Sequence, residues 1–226
     1  MWSKILSFFL PEHCVICGQS GTSICPTCLD LPSDNSCLHC GGSLPCRDCI
    51  LPWQSSVMIG WRDQQIGQLA EALKFAPRPT LARPLALTLA RDLYPLIANA
   101  TVKDPKSAQL PIIVPVPTSR RHKSERGFDH ALLVAHNLAQ IFSTECLPLL
   151  VRSKAAQSTT QLGSDRRRRH DQAQGAFVVN QPLDPTRHYI LYDDITTTGA
   201  TLQAASTALR HAGARHITVA VLAKSR

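Results

Sequence analysis

Apolar positions along this chain follow two alternating periods, and the alternation defines a fold class before any single residue is considered. Ser55–Trp61 (SSVMIGW) is a short apolar run that predicts a strand, and Gln64–Phe75 then places Ile66, Leu69, Ala70 and Leu73 at helical spacing. Pro77 and Pro79 stop that repeat. A second helix is predicted from near Thr80, with Leu81, Leu85, Leu89 and Leu93 down one face, ending at Pro95. Residues 98–109 are polar, contain Pro105 and predict a loop. Leu110–Pro117 (LPIIVPVP) suits a buried parallel strand, followed by a helix over Ala131–Phe142. Leu147–Val151, Tyr189–Tyr192 and His216–Leu222 supply three further strands. Strand alternating with helix predicts an α/β sheet with helices on its faces.

The first fifty residues do not share this pattern. They carry four cysteine pairs of one spacing: Cys14 and Cys17, Cys25 and Cys28, Cys37 and Cys40, Cys46 and Cys49. Two intervening residues let both sulfurs of a tight knuckle face one ion, and Gly18 and Gly41 follow where the turn needs a positive φ. Eight thiolates predict two structural Cys₄ zinc sites, each with no position left open for substrate. Sequential pairing of the knuckles is favoured, and a cross-braced pairing is the alternative. His13 and His39 are expected to be surface histidines beside a full set of sulfurs. A disulfide framework is the competing reading of the segment. It fits a chain with an export signal, and Met1–Pro11 is too short in its apolar run to be one.

Charge divides along the same line. The formal net charge is +8, yet residues 1–60 hold two basic and four acidic groups, so all of the excess lies beyond them. Residues 118–171 alone hold ten Lys or Arg against five Asp or Glu. A basic carboxy-terminal region is expected to attract phosphates or nucleic acid. No apolar run approaches the ~20 residues needed to cross a bilayer, and a cytoplasmic location is expected. Composition thus predicts a zinc-ribbon module over residues 1–54 and an α/β domain over residues 55–226. Cys146 stands apart from the cysteine pairs and is expected to be a buried apolar residue.

The candidate chemistry concentrates at Tyr189–Leu202, where an apolar strand ends in Asp193 and Asp194 and runs through Thr196, Thr197, Thr198, Gly199, Ala200 and Thr201 into a helix. In open α/β sheets ligands bind beyond the carboxyl ends of the strands, where a helix N-terminus offers N–H groups and positive dipole to a phosphate. Gly199 lets the backbone come close, and the threonines add hydroxyls. Two adjacent carboxylates would repel a phosphate, so they are expected to face vicinal sugar hydroxyls, with magnesium offsetting the charge. The combination predicts a ribose 5-phosphate unit. It lacks the Gly-Lys-Ser/Thr ending of a Walker A loop and the Gly-x-Gly-x-x-Gly dinucleotide turn. The stretch resembles the phosphoribosyl pyrophosphate loop of type I phosphoribosyltransferases.

Two basic segments bear on the same sheet edge. Arg120, Arg121 and Arg126 follow the Leu110–Pro117 strand and can hold a pyrophosphate through forked, charge-assisted hydrogen bonds. A solvated charge run is the alternative. Residues 152–177 are polar and include Arg152, Lys154 and the run Arg166, Arg167, Arg168 and Arg169. They are expected to form a flap over the ligand or to contact a nucleic-acid backbone.

Taken together, the cysteine pairs, Leu73-Lys74-Phe75, the Val-Pro-Val-Pro strand, Arg126-Gly127-Phe128, the element from Arg169 to Phe177 and the acid-pair loop are similar to the ComF/GntX family over nearly the full length. The resemblance implies a type I phosphoribosyltransferase-like parallel sheet preceded by a zinc ribbon. It also implies a role in handling incoming single-stranded DNA during natural competence, or in using DNA as a nutrient. Asp129 and His130 stand where the family pattern has Asn and Gln, and Gln172 where it has Asn, so an anion replaces a neutral amide beside the pyrophosphate loop. Two functions follow as expectations. One is magnesium-dependent binding of phosphoribosyl pyrophosphate, with transfer to an unassigned acceptor. The other is a non-catalytic adaptor that grips single-stranded DNA or a nucleotide for a DNA-translocation partner such as a helicase.

Overall fold

The computed structural model describes residues 12–30, 34, 36–44, 46–75, 79–103, 109–118, 129–153 and 175–225. A short helix α1 (Pro26–Leu29) lies in the cysteine-rich segment. It is followed by β1 (Ser55–Trp61), α2 (Gln64–Phe75), a 3₁₀ turn (Pro79–Leu81), α3 (Ala82–Lys103), β2 (Ile112–Pro115) and α4 (His130–Ile141). The chain continues through β3 (Leu150–Arg152), β4 (Phe177–Val179), β5 (His188–Thr196), α5 (Ala200–His211) and β6 (His216–Lys224). Four strands form a parallel sheet in the order β1-β6-β5-β2. The expected α/β class, with helices on both faces, is what the chain adopts.

Residue alternation in the central strands divides the interior into two layers. Ile113, Ile190, Tyr192, Ala220 and Leu222 face α2, α3 and α4, while Val114, Tyr189, Leu191, Val219 and Val221 face α5 and the β3–β4 pair. Leu81, Leu85, Leu89 and Leu93 are all fully buried, as the helical stripe predicts. Cys146 is half-buried rather than buried; it extends the sheet by a parallel bridge to Ile113, and its partial burial pushes its thiol up to about 11.

Three element boundaries differ from the expectation. Helix α3 does not stop at Pro95 but continues to Lys103, through the first part of the expected loop. Proline costs that turn one backbone hydrogen bond. Leu96 and Ile97, packed against the core just beyond it, favour continuation. Of the strand expected at Leu147–Val151 only its end forms, as β3, which pairs antiparallel with β4, while the bridge to Ile113 falls at Cys146 just before it. The described ends of the polar segment 152–177 therefore share a two-stranded stem. Strand β5 also runs four residues beyond Tyr192, so Asp193 and Asp194 lie within the sheet.

At the opposite end of the sheet, a polar row crosses three strands. His188 Nε2 lies 2.8 Å from Thr218 Oγ1, which lies 2.7 Å from Ser55 Oγ. Burial, and secondarily the neighbouring His216, push His188 down to about 4. Because the unfolded chain takes up this proton near pH 6.5 and the native chain does not, stability is lost as pH falls from 6.5 towards 4. The loss should reach about 3 kcal/mol over that window. Urea unfolding at pH 4.5 and pH 7 should show it, and His188→Asn should flatten the dependence.

Candidate functional site

The cysteine sulfurs fall into two sets in sequence order, Cys14, Cys17, Cys25, Cys28 and Cys37, Cys40, Cys46, Cys49, with all four sulfurs of each within 4.8 Å of one another. Tetrahedral zinc with bonds of about 2.3 Å separates its sulfurs by about 3.8 Å. The Cys17–Cys25 and Cys40–Cys46 sulfurs are 3.7 and 3.6 Å apart. The first knuckle of each set closes as its glycine predicts: Gly18 and Gly41 take φ of +77° and +79°, and their N–H groups donate to Cys14 O and Cys37 O at 2.9 Å. In the second set, burial and thiol sharing with Cys40 push Cys49 up to about 12, while the Gly42 N–H on its sulfur brings Cys40 down to about 7. Four crowded thiols trade protons in this way, and a dication lets all of them ionise. Both sets can hold zinc.

The two knuckle sets contact opposite layers. Ile24 of the first is buried with the α2–α3–α4 layer, and Asp30 pairs with Arg91 of α3 at 3.7 Å. Leu38 of the second is buried with Leu202 and Val221. Lys224, at the end of β6, is 5% exposed and donates from Nζ to Cys37 O at 3.2 Å and His39 O at 3.0 Å. Its ammonium also lies 5.4 Å from the centre of the Trp61 ring. Exposed His39 lies 3.0 Å, through Nδ1, from Gln203 Nε2 on α5. The second knuckle thus stands at the carboxyl end of the sheet, beside the acid-pair loop.

That loop is built by β5 and α5. Gly199 takes φ +76° at the N-cap of α5, and a β-carbon there would sit 3.2 Å from Leu38 O. Thr196 is buried and its hydroxyl accepts from Gly199 N–H at 3.1 Å, so it closes the turn. Thr197 is exposed and Thr198 and Thr201 are half-buried. Asp193 Oδ1 accepts from Asp194 N–H at 2.9 Å, and Asp194 Oδ1 from Ile195 N–H at 2.7 Å. Asp193 remains partly exposed, whereas Asp194 is buried. Arg152 reaches this end from β3: its Nε donates to Pro117 O at 2.9 Å and its guanidinium covers Phe177 at 5.0 Å. Burial draws Arg152 below its ordinary value, and the Asp193 carboxylate pulls the other way. Arg120, Arg121, Arg126, Lys154 and Arg166 to Arg169 lie outside the described residues.

Two residues at the start of α4 take roles that their types alone do not announce. Asp129 caps the helix, its Oδ1 accepting from Leu132 N–H at 3.1 Å and Thr118 Oγ1–H at 3.0 Å. An asparagine oxygen would accept the same bonds, which explains why the acid is tolerated. His130, buried, places Nε2 2.8 Å from Asp194 Oδ2. The departure from the family pattern at position 130 was the one sequence signal of that pair. A groove of about 710 Å³ adjoins the loop at Ala200, walled by His39, Ile50, Pro52, Phe177 and the Gln203 face of α5. No periodicity in the sequence foretells it, because its walls come from three separate segments. No helix among the described residues is long and apolar enough to cross a membrane.

No family model matches the chain. It is 30% identical over 200 residues to Competence protein F of Haemophilus influenzae, covering 84% of each. It is 29% identical over 216 residues to the DNA utilization protein YhgH of Escherichia coli K12, covering 94% of this chain and 90% of that protein. The YhgH protein of Salmonella typhimurium is 28% identical over 220 residues, with the same coverage. With the paired cysteines and the acid-pair loop in the same chain, likeness at this identity across most of both lengths makes it a member of the ComF family.

Proposed function

We propose that the chain binds phosphoribosyl pyrophosphate with magnesium at the acid-pair loop and serves the handling or utilisation of incoming single-stranded DNA. The observation that carries the reading is the juxtaposition at the end of β5. A carboxylate pair stands before a hydroxyl-bearing turn whose glycine caps the N-terminus of a helix, the end that favours an anion. In this reading Asp193 and Asp194 would receive the ribose hydroxyls and hold the magnesium ion. Thr197, Thr198 and Thr201 would receive the 5-phosphate with their hydroxyls, at the turn where Gly199 and Ala200 let the backbone come close. Arg120, Arg121 and Arg126 would hold the pyrophosphate, and a magnesium ion held at this site would supply countercharge to it. The groove beside Ala200, of about 710 Å³, falls in the size range of small-molecule sites and gives room for an acceptor or a neighbouring nucleotide. Two zinc ions, one per cysteine set, belong to the same proposal.

Titration calorimetry tests the reading. Phosphoribosyl pyrophosphate should bind when magnesium is present, and Asp193→Asn or Asp194→Asn should weaken it by about tenfold or more, the loss expected for a charged hydrogen bond. Binding that is absent, or indifferent to both substitutions, would remove the proposal.

The relatives' names, competence and DNA utilization, point to DNA, and the second reading makes the chain a strand-binding adaptor to a DNA-translocation partner. It predicts single-stranded DNA affinity that falls steeply with salt, with a slope reduced by neutralising Arg166 to Arg169. A flat salt response would count against it.

A further inference from the structure

We infer that His130 is a positioning residue for Asp194, fixing that carboxylate so that the site recognises the hydroxyls of a ribose rather than its phosphate alone. This rests on the sugar-phosphate reading above and adds to it a determinant of sugar recognition.

The carboxylate of Asp194 is held from both sides. Ile195 N–H donates to Oδ1 at 2.7 Å, and His130 Nε2–H donates to Oδ2 at 2.8 Å. The first bond is local to β5. The second comes from another element, 64 residues away in sequence, and ties the carboxylate to the start of α4. Each carboxylate oxygen accepts more than one hydrogen bond, so a hydroxyl can still donate to the fixed group.

The histidine is itself held for this purpose. The Asp129 cap sets the start of α4, so the first residue of the helix projects at the end of β5. His130 is 2% exposed, and its Nδ1 is buried with no hydrogen-bond partner among the described residues. Asp194 is therefore the ring's one polar anchor among the described residues. A histidine kept for packing alone would not need to leave a buried ring nitrogen unmatched, a cost that an apolar residue avoids. Fixing a carboxylate before the ligand arrives lowers the ordering cost of each hydroxyl bond it accepts.

The test compares two sugars. Magnesium-containing calorimetry would be run with ribose 5-phosphate, 2-deoxyribose 5-phosphate and inorganic phosphate on the full chain. Wild type should prefer the ribose over the deoxyribose compound by about tenfold, the worth of one hydrogen bond to a charged group. His130→Ala should lose most of that preference while keeping its phosphate affinity. His130→Gln, whose amide N–H reaches a similar distance, should restore it, and His130→Asn, one carbon shorter, should not. If His130→Asn keeps the full preference, or if both His130→Gln and His130→Asn lose phosphate and sugar affinity equally, the positioning role is overturned. If wild type binds neither sugar phosphate, the sugar-phosphate reading itself fails, and the inference with it. The Gln and Asn variants decide the matter even where the alanine variant does not fold.

Discussion

Cys40→Ser protein is expected to lose one of two zinc ions and, with it, at least about tenfold in ligand affinity at the acid-pair loop. The free energy of binding structural zinc is folding free energy for the residues around it, on the order of 10 kcal/mol in isolated zinc modules. In the second knuckle, that energy holds three carbonyls the rest of the molecule uses. Leu38 O lies against Gly199, and Cys37 O and His39 O receive the Lys224 ammonium. Once the knuckle opens, a lysine that is 5% exposed loses both hydrogen-bond partners, and the loop loses the wall beside its helix cap. Cys17→Ser should behave differently. The first set packs on the α3 side through Ile24 and Asp30, so its loss should lower the melting temperature with a change in affinity of less than about threefold. Zinc content by atomic emission, read beside calorimetry on both variants, checks the contrast. Equal affinity losses in the two variants would show that neither knuckle has a special relation to the loop.

Gly199→Ala is the second large effect expected, and it separates the loop from general stability. Gly199 takes φ +76°, where a β-carbon costs about 1–2 kcal/mol, and that carbon would meet Leu38 O at 3.2 Å. The contact must be relieved by moving the loop off the knuckle, which displaces the N–H groups at the start of α5. Affinity should fall at least about tenfold at a modest cost in stability. Gly213→Ala is the control. It sits at φ +114° behind α5, and its β-carbon would lie 2.8 Å from the backbone oxygen of Leu183. Backbone cannot swing aside as a side-chain tip can. The expected cost is about 3 kcal/mol, or roughly 6–12 °C in melting temperature, without a change in affinity for ligand. A thermal melt and a binding isotherm on each variant distinguish a glycine that shapes the site from one that only ends a helix.

Much of this architecture was legible because it is local. Two-residue cysteine spacing brings sulfurs together within one turn, and the short spacers between pairs left sequential grouping the simpler closure. The leucine stripe of α3 is a property of one helix, and the acid pair, turn and glycine lie on consecutive residues. Where a local rule met a non-local force, the local rule lost. Pro95 argued for a helix end, but apolar side chains beyond it pack on the core. Of the strand expected at Leu147–Val151 only the end formed, where β3 found its partner in β4 across a long insertion.

The sequence by itself determined the eight candidate ligand cysteines, the α/β class and the position of the candidate loop, since each depends on residues a few positions apart whose geometry the backbone dictates, while the folded chain decided the sequential grouping of the sulfurs. Tertiary structure alone decided what surrounds that loop. The order β1-β6-β5-β2 places the end of β6 beside both β1 and the acid pair, and residues before β1 descend along α5, with Arg210 Nε donating to Pro52 O at 2.7 Å. The second knuckle is thereby carried to the carboxyl end of the sheet, where Lys224 meets carbonyls some 187 residues away. His130 reaches Asp194 by the same logic, through a helix start and a strand end that only the sheet brings together. Contacts of this kind follow from strand order and helix packing, which sum over the whole core, and no short stretch of sequence encodes that sum.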